Sequence, residues 1–231
     1  MPGPSLIQPQ FPDDDGSADP RLREALARYA AGRAGPHTVL NRLATARLLV
    51  PVVAVLTEEE EVPEGGLRRE KSSEMALPTL VGQDGRRGVL GFTSAETMKA
   101  WRPDARPVGV HARQACLAAL DEGADALVVD VAGPVPFAVE GLRLHLLAEG
   151  RTVPPPHEDP EVLAAVEAAF GAEEGVSGVR LSEGAQAELA IRVSILPGHD
   201  ERATVQRVSD RLAELLRGRV VGGVELTVAR G

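Results

Sequence analysis

Apolar positions fall into blocks of helical spacing, continuous runs and strict alternation, and the order of these blocks outlines the chain. Leu22, Ala25, Leu26, Tyr29 and Ala30 form one stripe at helical spacing, with Arg21, Arg23, Glu24 and Arg28 opposite. Asp19 as N-cap and Pro20 in the first turn start this helix, and Gly32 and Gly35-Pro36 end it. A second short helix is predicted over 38–46, with Val39, Leu40 and Leu43 inward. Residues 48–56 form a valine-rich apolar run that reads as a strand. Pro51 lies inside it and has no amide hydrogen, so an edge strand or a bulge is expected. Residues 57–73 are polar, acidic first and then basic, and read as a long mobile loop.

Apolar runs at 75–82 and 88–93 flank Gln83-Asp84-Gly85, and Asp-Gly between such runs predicts a hairpin. Ser94 then caps a short helix ending near Trp101, with Glu96 and Thr97 in its first turn. A strand at 108–110 and a helix at 112–122 follow, the helix stopped by Gly123. Residues 126–132 carry Leu127, Val128, Val129 and Val131 and read as the most buried strand. A short strand at 137–139 and a helix at 142–148 close this part. Beyond Pro154-Pro155-Pro156 the order is helix (161–170), strand (176–181), strand (187–196), helix (201–217) and strand (224–228). The second of these strands alternates cleanly, with Leu189, Ile191, Val193 and Ile195 on one face.

The expected fold class is α+β: two small mixed α/β sandwich modules joined by a Pro-rich linker. The boundaries read as a disordered tail over 1–18, a first domain over 19–149, a linker over 150–160 and an αββαβ module over 161–231.

Composition narrows the function. Of 231 residues, 43% are hydrophobic, enough for ordinary buried cores. The net charge of -9 and 3% aromatic content argue against nucleic acid as a partner, which would need a basic face and stacking surfaces. No apolar run approaches the length that crosses a bilayer, so membrane insertion is not expected. The first residues lack the pattern of a secretory leader, and Cys116 is the only cysteine, so a cytoplasmic setting is expected. Every basic residue except Lys71 and Lys99 is arginine, which reads as GC-rich bacterial coding sequence.

Candidate chemistry is sparse. His37, His111, His145, His157 and His199 show no metal-ligand spacing, so no metal and no cofactor are expected. Cys116 shares a helix side with Ala112, Ala115 and Ala119 and reads as a small buried hydrophobe. The glycine-rich stretch 82–88 joins two strands, where a phosphate cradle would open a helix. Lys71-Ser72-Ser73-Glu74 reads as a solvated loop, since Glu70 and Glu74 keep the lysine charged, with a modification or docking role as the other reading. No catalytic residue is therefore expected.

Phe92, Thr93, Ser94, Trp101, Arg102 and Asp130 are the candidate interaction residues. The amides at Thr93-Ser94 would receive an anion or a partner's carboxylate unless Ser94 caps its own helix. Trp101 beside Arg102 is an interface pair of the kind that dominates binding energy, or else the packed end of a helix. Asp130 breaks an apolar strand, and a buried carboxylate there needs hydrogen-bond donors or a role.

The segment 36–51, the hairpin leading into Gly91-Phe92-Thr93-Ser94-Ala95-Glu96, Trp101, the buried strand with its Gly-Pro turn and the helix at 142–148 together resemble the SseB N-terminal domain family. The αββαβ tail is similar to the SseB C-terminal domain. The resemblance brings no catalytic residues with it. With no metal set, nucleophile triad or phosphate loop and with two small α+β units, the first reading is a non-enzymatic interaction or regulatory module of unknown protein partner, and an enzyme using Asp130 as acid/base is the third. The alternative is an amino-acid sensor using the αββαβ unit, in keeping with the serine-sensitivity phenotype attached to the family. A homodimer through exposed sheet edges stays open.

Overall fold

The computed structural model of the chain describes residues 11, 14–55, 74–184 and 187–229. They fall into two units that meet in sequence between Thr152 and Val153, and the second unit also takes Gly32–Thr38. The expected linker began at 150. The expected mobile loop at 57–73 lies outside the described residues, as does Lys71-Ser72-Ser73.

The first unit begins with α1 (Pro20–Ala30), where the Asp19 carboxylate accepts the Arg21 and Leu22 amides and Pro20 occupies the first turn. The helix buries Leu22, Ala25 and Leu26. Tyr29 is partly exposed and meets the edge of Phe137 at 5.3 Å. Next come α2 (Pro36–Leu43), whose first three residues belong to the second unit, and β1 (Arg47–Val55). The remaining elements are β2 (Glu74–Ala76), β3 (Thr79–Val81), β4 (Arg87–Gly91), α3 (Ala95–Trp101), β5 (Arg106–His111), α4 (Ala112–Asp121), β6 (Ala126–Val129), β7 (Phe137–Glu140) and α5 (Leu142–Ala148). They form a β2-β1-β5 sheet and a β3-β4-β6-β7 sheet. The Asp84-Gly85 hairpin joins β3 to β4 as expected, with Gly85 at φ +81, the left-handed region such turns require. Strand β4 pairs with β6 in parallel, so β6 lies between β4 and β7 and is buried at Leu127 and Val129.

Pro51 corrects an expectation. Strand β1 is the middle strand of its sheet, not an edge, and it carries no bulge against β5. The amide of Leu49 donates to the Phe92 carbonyl at 2.8 Å, away from β5. Two residues on, the nitrogen of Pro51 faces the same way, into the gap between that bridge and β2, whose pairing starts at Val53. The residue opposite Pro51 on β5 is Pro107, so neither proline removes a donor from that ladder.

The expected tail over 1–18 lies mostly outside the described residues. Phe11, Asp14 and Ser17, which are described, make contacts with the rest of the unit. Arg47 donates to the Asp14 carboxylate at 2.6 Å and the Ser17 carbonyl at 2.7 Å, and Phe11 meets the His111 ring at 4.9 Å.

Cys116 is fully buried on α4 beside Ala112, Ala115 and Ala119, as the helical pattern implies. Burial pushes its thiol up to about 12 from 9.0. A raised thiol stays neutral in the fold while the unfolded chain ionises. Stability therefore falls as pH rises from 9.0 toward 12, and Cys116 adds no pH dependence below that window. At about pH 8 a disulfide reagent should label Cys116 only after denaturant is added. Rapid labelling of the folded chain would place the thiol at the surface.

The second unit comprises α6 (Pro160–Phe170), β8 (Val176–Ser182), β9 (Leu189–Ile195), α7 (Glu201–Leu215) and β10 (Val224–Ala229). Its sheet order is β10-β9-β8, with β9 parallel to β10 and antiparallel to β8. The apolar row Leu189, Ile191 and Val193 packs under Val162, Val166, Val208 and Leu212 of the two helices. Glu188, at the start of β9, is buried, accepts the Val221 and Gly222 amides at 3.0 and 2.9 Å, and lies 3.0 Å from His37 Nε2. The chain is thus α+β throughout its described residues. None of its described helices is long and apolar enough to cross a membrane.

Candidate functional site

The six candidate residues meet at one corner of the first unit, where β4 turns into α3 beside the end of β6. Phe92 is wholly buried among Leu49, Leu90 and Met98, and its backbone exchanges two 2.8 Å hydrogen bonds with Leu49. The bridge ties the two sheets together. The Phe92 ring lies 5.6 Å from that of Trp101.

Thr93 is 4% exposed and is held on three sides. Its amide donates to Asp130 Oδ1 at 2.8 Å, its hydroxyl donates to Oδ2 at 2.6 Å, and its carbonyl accepts Arg47 at 2.9 Å. Asp130 is 3% exposed at φ 52. It ends β6 instead of interrupting a longer strand, because a left-handed residue cannot continue the pleat. Its own amide donates to the Gly91 carbonyl at 2.9 Å, and its carbonyl accepts the Gly133 amide at 2.8 Å. A side chain at Gly133 would come within 2.9 Å of Asp130 Cβ, so the turn after β6 closes only on glycine. Asp130 thus holds the Thr93 amide with one carboxylate oxygen and the Thr93 hydroxyl with the other, the arrangement a buried carboxylate needs.

Ser94 caps α3 in a reciprocal capping box with Thr97, at 3.2 Å from its hydroxyl to the Thr97 amide and 3.3 Å back. Its side chain therefore serves its own helix. Trp101 packs its ring inward against the Phe92 cluster, as the end of a helix does, and Arg102 is exposed. Trp101 is half-buried beside that cluster, as are Ala105 and Val131, and the exposed Arg102 guanidinium lies 4.8 Å over its indole ring. That contact is a cation–π pair, planar on planar.

Sequence reasoning placed the corner but missed Arg47 and Asp14, which fasten it from behind. Their link spans 33 positions, and no local pattern marks it. Among the described residues, no three histidine, cysteine, aspartate or glutamate side chains are grouped so as to hold a metal ion.

A parallel β4–β6 pair locked by a carboxylate, two sheets bridged at one phenylalanine and an exposed arginine over the half-buried tryptophan define an α+β domain whose polar corner is closed to solvent. The family model for the SseB protein N-terminal domain matches residues 22–145, and the chain belongs to the SseB family. The match runs from within α1 into α5 and contains all six corner residues. Neither a curated protein nor a solved structure matches the chain.

Proposed function

We propose that the protein is a cytoplasmic, non-enzymatic interaction module that binds a protein partner through Trp101 and Arg102. The carrying observation is the division of labour at the corner. Thr93, Ser94 and Asp130 are engaged in internal hydrogen bonds, while the exposed Arg102 guanidinium lies over the half-buried Trp101 ring, itself seated on Phe92. An aromatic–guanidinium platform fits a partner that offers a carboxylate beside an apolar side chain. The resemblance of the second unit to the SseB C-terminal domain belongs to the same reading.

A photoreactive amino acid in place of Arg102, in the source cells, is expected to give a discrete crosslinked adduct. The same group in place of Val221, which is 58% exposed, gives none. Absence of an adduct at 102 would contradict the proposal.

A second reading is an amino-acid sensor in the αββαβ unit. It draws on a cavity of about 300 Å³ between α7 and β10, lined by Leu212, Leu216, Val220 and Leu226 with Arg217 beside them. An apolar wall with one guanidinium suits a free carboxylate carrying an apolar side chain. An amino acid at 100 times its dissociation constant should stabilise the fold by about 2.7 kcal/mol. No thermal shift across the amino acids would remove this reading.

A further inference from the structure

The outer face of the β10-β9-β8 sheet carries two arginines where cross-strand pairing disfavours them. Arg180 of β8 and Arg192 of β9 are direct partners in the antiparallel register. Side chains so placed stand about 4.5–5.5 Å apart at Cβ, where like charges repel. Both are exposed, and neither makes an ion pair or side-chain hydrogen bond among the described residues. Glu225, diagonal to Arg192 through the Arg192–Thr227 pair, directs its carboxylate to the Ala187 amide at 2.7 Å. Glu183 accepts the Gly35 amide at 3.2 Å, and Glu188 holds the Val221 and Gly222 amides. The Gly32–Thr38 segment belongs to this unit and meets it at Glu183, just past the end of β8, and at Glu188, just before β9. Around the arginines the face is small and flat, with Ala190, Ser194, Ser182 and Thr227 at its alternate positions.

We propose that this face binds an acidic peptide segment of a partner protein, with neighbouring carboxylates pairing the Arg180 and Arg192 guanidiniums. Guanidinium takes carboxylate in a two-pronged geometry, and a pair of carboxylates turns the cross-strand repulsion into a specific demand. The occupant is a peptide for three reasons. The central strand's edges are both occupied by β8 and β10, so a phosphate would find few free backbone amides there. No large apolar side chain on this face could enter a bilayer. A second copy of the same face would set four arginines against one another. The surface lies in the second unit and does not depend on the Trp101–Arg102 reading.

The test titrates the full chain with a short labelled peptide of alternating glutamate and alanine. The same peptide with glutamine, a single-stranded oligonucleotide and phosphatidylserine vesicles serve as comparison probes. The glutamate peptide is expected to bind, and the glutamine peptide is not. The pair of substitutions Arg180→Ser and Arg192→Thr should weaken binding by about tenfold or more. The melting temperature of that variant should stay equal or rise, because the repulsion is gone. Should it fold poorly, Arg180→Gln alone carries the test and loses part of the same affinity. No binding by the native chain, equal binding of the glutamine peptide or unchanged affinity in the variants would overturn the proposal. So would preference for the oligonucleotide or the vesicles through the same arginines.

Discussion

Replacing Asp130 with alanine is expected to destabilise the first unit by about 3–4 kcal/mol. Losing both acceptors leaves the buried Thr93 amide and hydroxyl without partners, at about 1–3 kcal/mol for such a group. Alanine would also sit at φ 52 without the short polar side chain that lets aspartate tolerate the left-handed region. The Asp130→Asn change separates the two effects. Asparagine tolerates the left-handed region, and its amide oxygen can still accept from Thr93. It should therefore cost about half as much as Asp130→Ala. Urea unfolding followed by Trp101 fluorescence measures both, since Trp101 is the single tryptophan and lies in the first unit. A change within about 0.5 kcal/mol, the scale of an ordinary surface substitution, would show that the carboxylate does not hold the corner.

The second large effect is expected at Phe92. Phe92→Ala empties a site that is 0% exposed, and substitutions of this kind cost about 3–5 kcal/mol. The backbone bridge to Leu49 survives in principle, since it uses main-chain atoms alone, but the ring that packs beside it is lost. Trp101 loses its neighbour at 5.6 Å, so its native emission should shift toward longer wavelength as water reaches the indole. Leu215→Ala gives the comparison. Leu215 is 43% exposed on α7 in the other unit, so its loss should leave Trp101 emission unchanged. A stable Phe92→Ala protein with native emission would mean that the corner is not the joint between the two sheets.

What was legible in the sequence follows from how local each signal is. The αββαβ order of the second unit was readable because its strands and helices announce themselves within a few residues. Asp200 caps α7 through the Ala203 amide, and Leu189, Ile191 and Val193 alternate into the core. Ser94 and Thr97 marked the start of α3 for the same reason. Pro51 misled because a sequence does not say which way a missing amide hydrogen would have pointed. Its position in a central strand becomes harmless only when the Leu49–Phe92 bridge is known. Asp130 was visible as a polar residue among valines, but its left-handed backbone and its grip on Thr93 depend on a strand 37 residues earlier. Arg47 was not legible at all. An arginine at the head of an apolar strand has no pattern that names Asp14, Ser17 and Thr93 as its partners.

The corner's buried polar groups hold the fold while Arg102, stacked on Trp101, is proposed to hold a partner. The most direct test is affinity purification of the tagged full chain from its source cells, beside Trp101→Ala and Arg102→Ala copies shown to be folded by their circular dichroism. The account predicts a specific protein that co-purifies with the native chain and is lost from both variants. A partner retained by both folded variants, or none captured by any of the three, would contradict it.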